Sequence, residues 1–229
     1  MRARFIELAP EGFEENDREL AAYGDAALRV VAAFPDARTS EVEEGWEDRW
    51  REFHRPVRIG PLWVGPPWEQ PPDDAVAVVV DPGRAFGTGA HPTTRLCLEL
   101  LLGQPAGSVV DIGCGSGVLA IAAAKLGHTP VTAIDADESA VAATRANAAA
   151  NGVALEALAR DALGDPLPAA KLALANIALA AVEALGGRLT SARVITSGYL
   201  AADRPKLGGF TLVERRELDG WAADLHESR

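Results

Sequence analysis

The chain has 229 residues, a net charge of −11 and 48% hydrophobic residues. This length predicts one core domain plus a smaller region, and the acidic balance argues against direct nucleic-acid binding. No apolar run reaches the roughly 18 residues of a membrane span, and the start lacks a secretory signal. We therefore expect a cytoplasmic protein with no membrane partner. The two cysteines and four dispersed histidines predict no metal site.

The first part of the chain contains a small acidic region and a connector. Residues 1–38 are predicted to form a small α/β or β-rich piece. Trp46, Trp50 and Phe53 then follow with the i, i+4, i+7 spacing of one helix face, an aromatic stripe that is more often packing than a ligand cage. Residues 39–74 thus predict a linker helix and a Pro-rich connector or hairpin, "RPVRIGPLWVGPPWEQPPDD".

Residues 75–229 alternate between strand and helix patterns. The predicted strands are the apolar runs "AVAVVV", "SVVDIG", "PVTAID", "KLALAN" and "ARVITSG". The helices between them include "VLAIAAAKLG", closed by Gly127, and "ESAVAATRANAAANG", capped by Asp137. Such alternation predicts right-handed crossovers and a mainly parallel central sheet. The runs "FTLVERREL" and "WAADLHE" predict an antiparallel hairpin at the C-terminal edge.

The stretch "DIGCGSG", residues 111–117 and here called the second glycine loop, follows a strand and opens a helix. Gly113 allows a tight turn, Gly115 lets the backbone approach a ligand, and Gly117 permits close packing at the helix start. A dinucleotide fingerprint would place a glycine where Val118 stands. Asp111 would repel a pyrophosphate but suits a cationic ligand such as S-adenosylmethionine.

Polar side chains end two further strands. Asp135 lies 22 residues after Gly113, and its carboxylate can accept hydrogen bonds from both hydroxyls of a ribose. Asn176 ends "KLALAN". Because ligands of open α/β sheets bind outside the carboxyl ends of the strands, we expect these groups to converge. The pattern indicates a class I methyltransferase, and a nicotinamide-dependent dehydrogenase is a distant alternative.

An ordered set of motifs resembles the ribosomal protein L11 methyltransferase family. The motifs are "DPGRAFGTGAHPTTRLCLELL", "VVDIGCGSGVLAIAAAKLG", "VTAIDADESAV" and "LALANIAL", together with the linker "EGWEDRWREFHRPVRIGPLWVGPPWE". The resemblance covers about residues 40–200. It implies S-adenosylmethionine as cofactor and methylation of L11 amino groups, the N-terminal α-amine and lysines. It also implies a Rossmann-like class I fold with an antiparallel C-terminal edge, and we expect a monomer.

The chain departs from the family pattern before its linker. Family members carry a complete ferredoxin-like N-terminal domain that recognises L11, whereas fewer than 40 residues precede the linker helix here. Residues 1–38 are therefore predicted to be a truncated α/β substrate-recognition region, and residues 75–229 the catalytic domain that binds S-adenosylmethionine. The departure leaves open a different protein N-terminus or a small amine as substrate. A non-catalytic cofactor-binding protein is a further alternative.

The resemblance also assigns site residues. It places cofactor residues at Thr94, Gly113, Asp135 and Asn176, and it places His91 and the "FGTG" element beside the reacting centre. The "FGTG" residues are Phe86, Gly87, Thr88 and Gly89. They belong to "DPGRAFGTGAHPTTR", residues 81–95 and here called the first glycine loop, which we expect to close over the methionine end of the cofactor.

Three side chains have predicted roles with stated alternatives. The side-chain carbonyl of Asn176 can accept the N–H bonds of an amine and aim its lone pair, although amino methyltransferases often have proline next where this chain has Ile177. His91 could orient or deprotonate the amine, or it could cap the helix that Pro92 begins. Asp161 could approach the adenine, or it could be an ordinary loop acid.

Overall fold

The computed structural model describes residues 8–9, 14–15, 20–22, 24–38, 55–81 and 89–229. The chain divides into two compact units, Met1–Phe53 and His54–Arg229. This division falls inside the connector predicted for residues 39–74. The predicted linker helix with Trp46, Trp50 and Phe53 lies outside the described residues and stays a prediction.

The first unit is a small α/β unit, as predicted. Strands β1 (Glu14–Glu15) and β2 (Leu20–Ala21) pair antiparallel, and helix α1 (Gly24–Ala33) follows. Ala26 and Val30, one helical turn apart, are buried in its core. Spacing of i and i+4 places both side chains on one face of α1, which explains why that face is the packed one.

The second unit begins with a three-stranded sheet. Strands β3 (Val57–Ile59) and β4 (Leu62–Gly65) form an antiparallel hairpin, and β5 (Val76–Val79) adds parallel to β4. The run "AVAVVV" is therefore a strand, as predicted, but it pairs with the hairpin and not with the central sheet. A continuous apolar run predicts burial on both faces and does not say which strand will be its neighbour.

The central sheet has seven strands in the order β11-β12-β10-β9-β6-β7-β8. They are β6 (Val109–Ile112), β7 (Val131–Asp135), β8 (Glu156–Ala159), β9 (Leu172–Asn176), β10 (Arg193–Leu200), β11 (Phe210–Leu218) and β12 (Trp221–Ser228). Strands β6 to β10 are parallel, and β12 runs antiparallel to both of its neighbours. The predicted fold class and C-terminal hairpin are confirmed, and β11 is the edge strand.

Helices connect the strands, and the two that follow β6 and β7 end where the sequence predicts. They are α2 (Pro92–Leu102), α3 (Val118–Lys125), α4 (Glu138–Ala150) and α5 (Leu179–Leu185). The Asp137 carboxylate accepts the Ser139 N–H at 2.8 Å and caps α4. Gly127 has φ +89 and ends α3, because its N–H and that of His128 bond back to carbonyls of the last turn.

The strand order locates the site. From β6 the chain moves outward through β7 and β8, and β9 then returns to pair with the other side of β6. The connection after β6 therefore leads towards β7, and the connection after β9 leads the opposite way, towards β10. The crevice between the carboxyl ends of β6 and β9 is where ligands bind in open α/β sheets. Within the described residues, the helices are too short or too polar to cross a membrane.

Candidate active site at the carboxyl ends of the strands

The second glycine loop adopts a conformation that requires glycine. Gly113, Gly115 and Gly117 have φ of 71, 53 and 82 degrees, the left-handed region that other residues rarely enter. A Cβ on Gly113 would stand 2.4 Å from Cγ2 of Ile177. A Cβ on Gly117 would stand 2.9 Å from the Thr144 side chain of α4. Two of the glycines thus permit close packing as well as the turn.

Asp135 lies at the end of β7 and holds the second glycine loop. Its Oδ2 accepts the Gly115 N–H at 3.0 Å, and its Oδ1 accepts the Asp137 N–H at 3.0 Å. The residue is half-buried. Each carboxylate oxygen can accept a second hydrogen bond, so the side chain keeps acceptor capacity for the two hydroxyls of a ribose.

Asp111 is buried inside β6, with 1% of its surface exposed. Its Oδ2 accepts the Ala120 N–H at 3.1 Å, in the first turn of α3. Burial raises the pKa of the Asp111 carboxyl to about 7, the Ala120 N–H lowers it and the Asp135 charge raises it. A buried carboxyl that is half ionised near neutral pH can respond to a cation placed beside it.

Asn176 ends β9 with its side chain held from one side. Its Nδ2 donates to the Thr94 hydroxyl at 3.3 Å, and Thr94 is fully buried in α2. Its Oδ1 is buried and has no hydrogen-bond donor among the residues that the structure describes. A buried carbonyl without a donor costs about 1–3 kcal/mol, so this oxygen is suited to a ligand that brings an N–H.

Gly198 fixes the backbone that follows Asn176. It lies at a bulge in β10 with φ +99, and a Cβ there would stand 2.1 Å from the Ile177 carbonyl oxygen. The Ile177 N–H in turn donates to Ser197 O at 3.1 Å. Gly113 and Gly198 therefore confine Ile177 from two sides. Because Ile177 directly follows Asn176, its confined backbone also limits the movement of Asn176.

We expect Gly198→Ala to lower the free energy of unfolding by about 2 kcal/mol or more, since a backbone carbonyl cannot yield cheaply to the added methyl. Gly127→Ala is the matched control, because Gly127 has φ +89 and open space around its Cβ position. Chemical denaturation of both variants separates the clash from the cost of the backbone angle. Equal losses in the two variants would show that Gly198 does not confine Ile177.

His91 is the N-cap of α2. Its Nδ1 lies 2.7 Å from the Thr93 hydroxyl oxygen and 3.4 Å from the Thr93 nitrogen. Its ring packs against that of Trp221 in a T-shaped arrangement with the ring centroids 4.8 Å apart. Helix capping, one of the two roles predicted for His91, is thus present in the structure. Thr94, which bonds Asn176, directly follows this capping partner in the chain. The predicted role of His91 beside the amine stays a prediction.

The surroundings of two other side chains, Cys114 and Asp161, can be explained by the protein alone. Burial raises the pKa of the Cys114 thiol to about 12, and the Asp111 charge adds to the rise. The thiolate that a nucleophile needs is therefore scarce at neutral pH. Asp161 is exposed, and its Oδ1 accepts the Leu163 N–H at 2.9 Å in a local turn. A contact of Asp161 with an adenine stays a prediction.

The first glycine loop is described in part. Phe86, Gly87 and Thr88 lie outside the described residues, and their proximity to the cofactor stays a prediction. Gly89 has φ +85, and a Cβ there would stand 2.4 Å from Cγ1 of Val64 in β4. Gly89 thus packs against the three-stranded sheet, two residues before His91 caps α2.

Sequence reasoning missed the polar face of α4. Thr144, Asn147 and Asn151 follow the spacing i, i+3, i+7 in a helix that is otherwise rich in alanine. The Thr144 hydroxyl donates to Gly115 O at 3.0 Å, so this face contacts the second glycine loop directly. Polar residues at helical spacing among alanines were the available signal.

Comparison with known proteins identifies the family. The family model described as Ribosomal protein L11 methyltransferase (PrmA) matches residues 13–223. A "Ribosomal protein L11 methyltransferase" from Geobacter metallireducens is 44% identical over 212 residues, and one from Legionella pneumophila is 40% identical over 224 residues. The solved "ribosomal protein L11 methylase" from Lactobacillus delbrueckii subsp. bulgaricus has a TM-score of 0.66 and 31% identity.

The match covers a larger share of this chain than of the two relatives found by sequence. The match covers 88% of this chain and 65% of the Geobacter protein, and 89% of this chain and 76% of the Legionella protein. The Lactobacillus structure is covered completely, by 77% of this chain. The family model, the relatives and the Rossmann-like sheet agree. The chain belongs to the ribosomal protein L11 methyltransferase family.

Proposed function

We propose that the chain is an S-adenosylmethionine-dependent protein N-methyltransferase that methylates amino groups of ribosomal protein L11, the N-terminal α-amine and lysines. One observation carries the proposal beyond family membership. Asn176 presents a buried carbonyl oxygen, without a donor among the described residues, at the crevice formed by β6 and β9. An acceptor amine supplies the missing N–H.

The described residues fit S-adenosylmethionine. Asp135 keeps acceptor capacity for ribose hydroxyls, and Gly113 and Gly115 have no side chains of their own to keep a ligand from the loop backbone. The buried Asp111 carboxyl supplies negative charge for a cationic ligand. When bound, this cofactor supplies a methyl group that its sulfonium already activates.

The protein then has to align a neutral amine. Asn176 Oδ1 accepts one N–H of the amine. The hydrogen bond from Asn176 Nδ2 to the Thr94 hydroxyl keeps the side-chain amide from rotating. An α-amino group has a pKa of about 7.7–8.0 and a lysine about 10.4, so the α-amine is the readier acceptor near pH 8. Burial favours the neutral form of either amine. Alignment therefore supplies most of the rate enhancement, and no strong base is required.

Several assignments belong to this proposal. Residues 1–38 serve as a substrate-recognition region, and residues 75–229 carry the catalytic domain. The enzyme is a cytoplasmic monomer that has L11 as its protein partner and makes no direct nucleic-acid contact. The net charge of −11 supports the last point.

Unmodified L11 incubated with this chain and methyl-labelled S-adenosylmethionine should become labelled at its N-terminus and lysines. The control is L11 whose amines have been blocked by acetylation, which should accept no label because an amide nitrogen is not nucleophilic. Calorimetry with S-adenosylhomocysteine establishes that the cofactor site is intact. Cofactor binding without label on L11 would refute the substrate assignment.

A different amine is the second candidate substrate, because the match covers only part of the Geobacter relative. This chain spans 65% of the Geobacter relative, so about a third of that protein lies outside the match. Labelling of a cell extract separates the candidates. Label on a protein other than L11, or on a small amine, would favour the alternative.

A further inference from the structure

A bulge in β10 lies beside the chain segment that follows Asn176. The pairing of β10 with β12 shifts between Ser197 and Tyr199, so that Gly198 is an extra residue in β10. On the other side of β10, Ser197 O accepts the Ile177 N–H at 3.1 Å, and a Cβ on Gly198 would clash with the Ile177 carbonyl. The shape of the bulge therefore determines the path of the backbone directly after Asn176.

The hydroxyl of Tyr199 connects the two ends of this bulge. It lies 3.1 Å from the Thr196 carbonyl oxygen and 2.8 Å from the Thr196 hydroxyl oxygen. It also lies 3.0 Å from Oδ2 of Asp224 in β12. Burial raises the pKa of Tyr199, so the hydroxyl keeps its hydrogen and can donate it to the carbonyl or to the carboxylate. One side chain thus joins both ends of the bulge and attaches them to the neighbouring strand.

An ion pair fixes the carboxylate that Tyr199 contacts. Asp224 is 1% exposed, and Nη1 of Arg215 in β11 lies 3.1 and 3.3 Å from its two oxygens. Nη2 of Arg215 donates to the carbonyls of Ala201 and Asp203, at 2.9 and 2.8 Å, in the loop that follows β10. A buried carboxylate that is paired and hydrogen-bonded in this way has little freedom to move. Tyr199 is therefore bonded to a fixed partner.

We propose that Tyr199 is a positioning residue for methyl transfer, because its hydroxyl holds the bulge that fixes Ile177 and thereby Asn176. The inference rests on the proposed function, which assigns the alignment of the amine to Asn176. Tyr199 acts through the backbone of β10 and not by contact with the amine. Its loss should therefore change the rate of the chemical step more than the binding of either reactant.

Residue-resolved amide exchange, followed by NMR in the full chain, tests the structural step without any methyl transfer. Tyr199→Phe keeps the ring and removes the hydroxyl. It should speed exchange of the Ile177 N–H by about 10-fold or more relative to the Arg193 N–H, which donates to Lys171 O at the other end of the same strand pair. A general loss of stability would speed the exchange of both amides by the same factor.

His226→Phe is the matched control. His226 is 4% exposed, and its Nε2 lies 3.2 Å from the Thr196 hydroxyl oxygen. The variant removes a hydrogen bond from the same buried network and leaves the bond between Tyr199 and the Thr196 carbonyl in place. We expect it to leave the ratio of the two exchange rates unchanged.

Ser197→Ala serves if Tyr199→Phe does not fold. The Ser197 hydroxyl donates to Ala222 O at 2.7 Å and is a second side-chain bond that holds the bulge to β12. Its removal should also speed exchange of the Ile177 N–H selectively.

The kinetic readout should separate the same variants. We expect Tyr199→Phe to lower kcat with L11 about 10-fold, because a misplacement of about 1 Å costs about 100-fold and the bulge should move by less. The KM for L11 and the Kd for S-adenosylhomocysteine should change less than about 3-fold. His226→Phe should keep a kcat within about 3-fold of wild type.

Two results would overturn the role of Tyr199. One is an unchanged ratio of the two exchange rates in Tyr199→Phe or, if that variant does not fold, in Ser197→Ala. The other is a kcat of folded Tyr199→Phe within about 3-fold of wild type. If the Ile177 amide responds selectively but the wild-type chain places no label on L11, the substrate assignment alone fails.

Discussion

Replacing Asn176 with alanine is expected to lower kcat for methyl transfer by about 100- to 1,000-fold, the usual cost of losing one precisely placed polar group at a reacting centre. The variant removes the buried Oδ1 and the bond from Nδ2 to Thr94. Without them, the amine has no acceptor that fixes its rotation. Single-turnover kinetics measures the chemical step directly.

Thr94→Val is the matched control for Asn176→Ala. It removes the hydroxyl that holds Nδ2 but leaves Oδ1 in place, so we expect a smaller loss of about 10-fold. The affinity for S-adenosylhomocysteine should change less than kcat in both variants. A kcat for Asn176→Ala within 3-fold of wild type would exclude Asn176 from orienting the amine.

The second large effect is expected at Asp111. Burial raises its pKa in the folded chain to about 7, from the ordinary value of 3.8. The folded chain therefore holds a proton that the unfolded chain has released between about pH 4 and pH 7. The stabilising contribution of Asp111 is complete below about pH 4 and is lost as the pH rises through 7.

Asp111→Asn removes the ionisation and keeps an oxygen for the Ala120 N–H. The wild type should lose stability relative to this variant as the pH rises from 4 to 7, by about 4 kcal/mol in all, because each pKa unit is worth about 1.4 kcal/mol. Urea denaturation at several pH values measures this difference. The same variant should bind S-adenosylmethionine about 10-fold less tightly, because the carboxylate is lost.

A contrary result at Asp111 is easily recognised. Parallel stability curves for wild type and Asp111→Asn from pH 4 to pH 8 would show that the carboxyl titrates at its ordinary pKa. Asp137→Asn is a useful control, because the Ser139 N–H lowers the pKa of the exposed Asp137. Asp137→Asn should be less stable than the wild type at neutral pH, and this difference should disappear as the pH falls below about 4.

The sequence predicted which polar side chains lie at the carboxyl ends of the strands, because strand ends and helix starts are local features. Asp111, Asp135 and Asn176 end or nearly end apolar runs, and parallel strands bring their carboxyl ends to one edge. The caps at Asp137 and Gly127 were also predicted, since each depends on a few neighbouring residues.

Long-range pairing was harder to predict. The run at Val76–Val79 pairs with the β3–β4 hairpin, and no local pattern states that choice. Asn147 was missed for the same reason, because its partners Asp81 and Ser116 are 66 and 31 residues away. Gly198 confines Ile177 across two strands, a contact that a lone glycine in an apolar run does not reveal.

Mass spectrometry of L11 from cells that contain this protein, and from cells that lack it, tests the central claim most directly. We predict methyl groups on the N-terminal amine and on lysines of L11 in the first sample and their loss in the second. Restoring the wild-type chain should restore them, and restoring Asn176→Ala should not. Identical L11 masses in the two samples would contradict the assignment of L11 as the substrate.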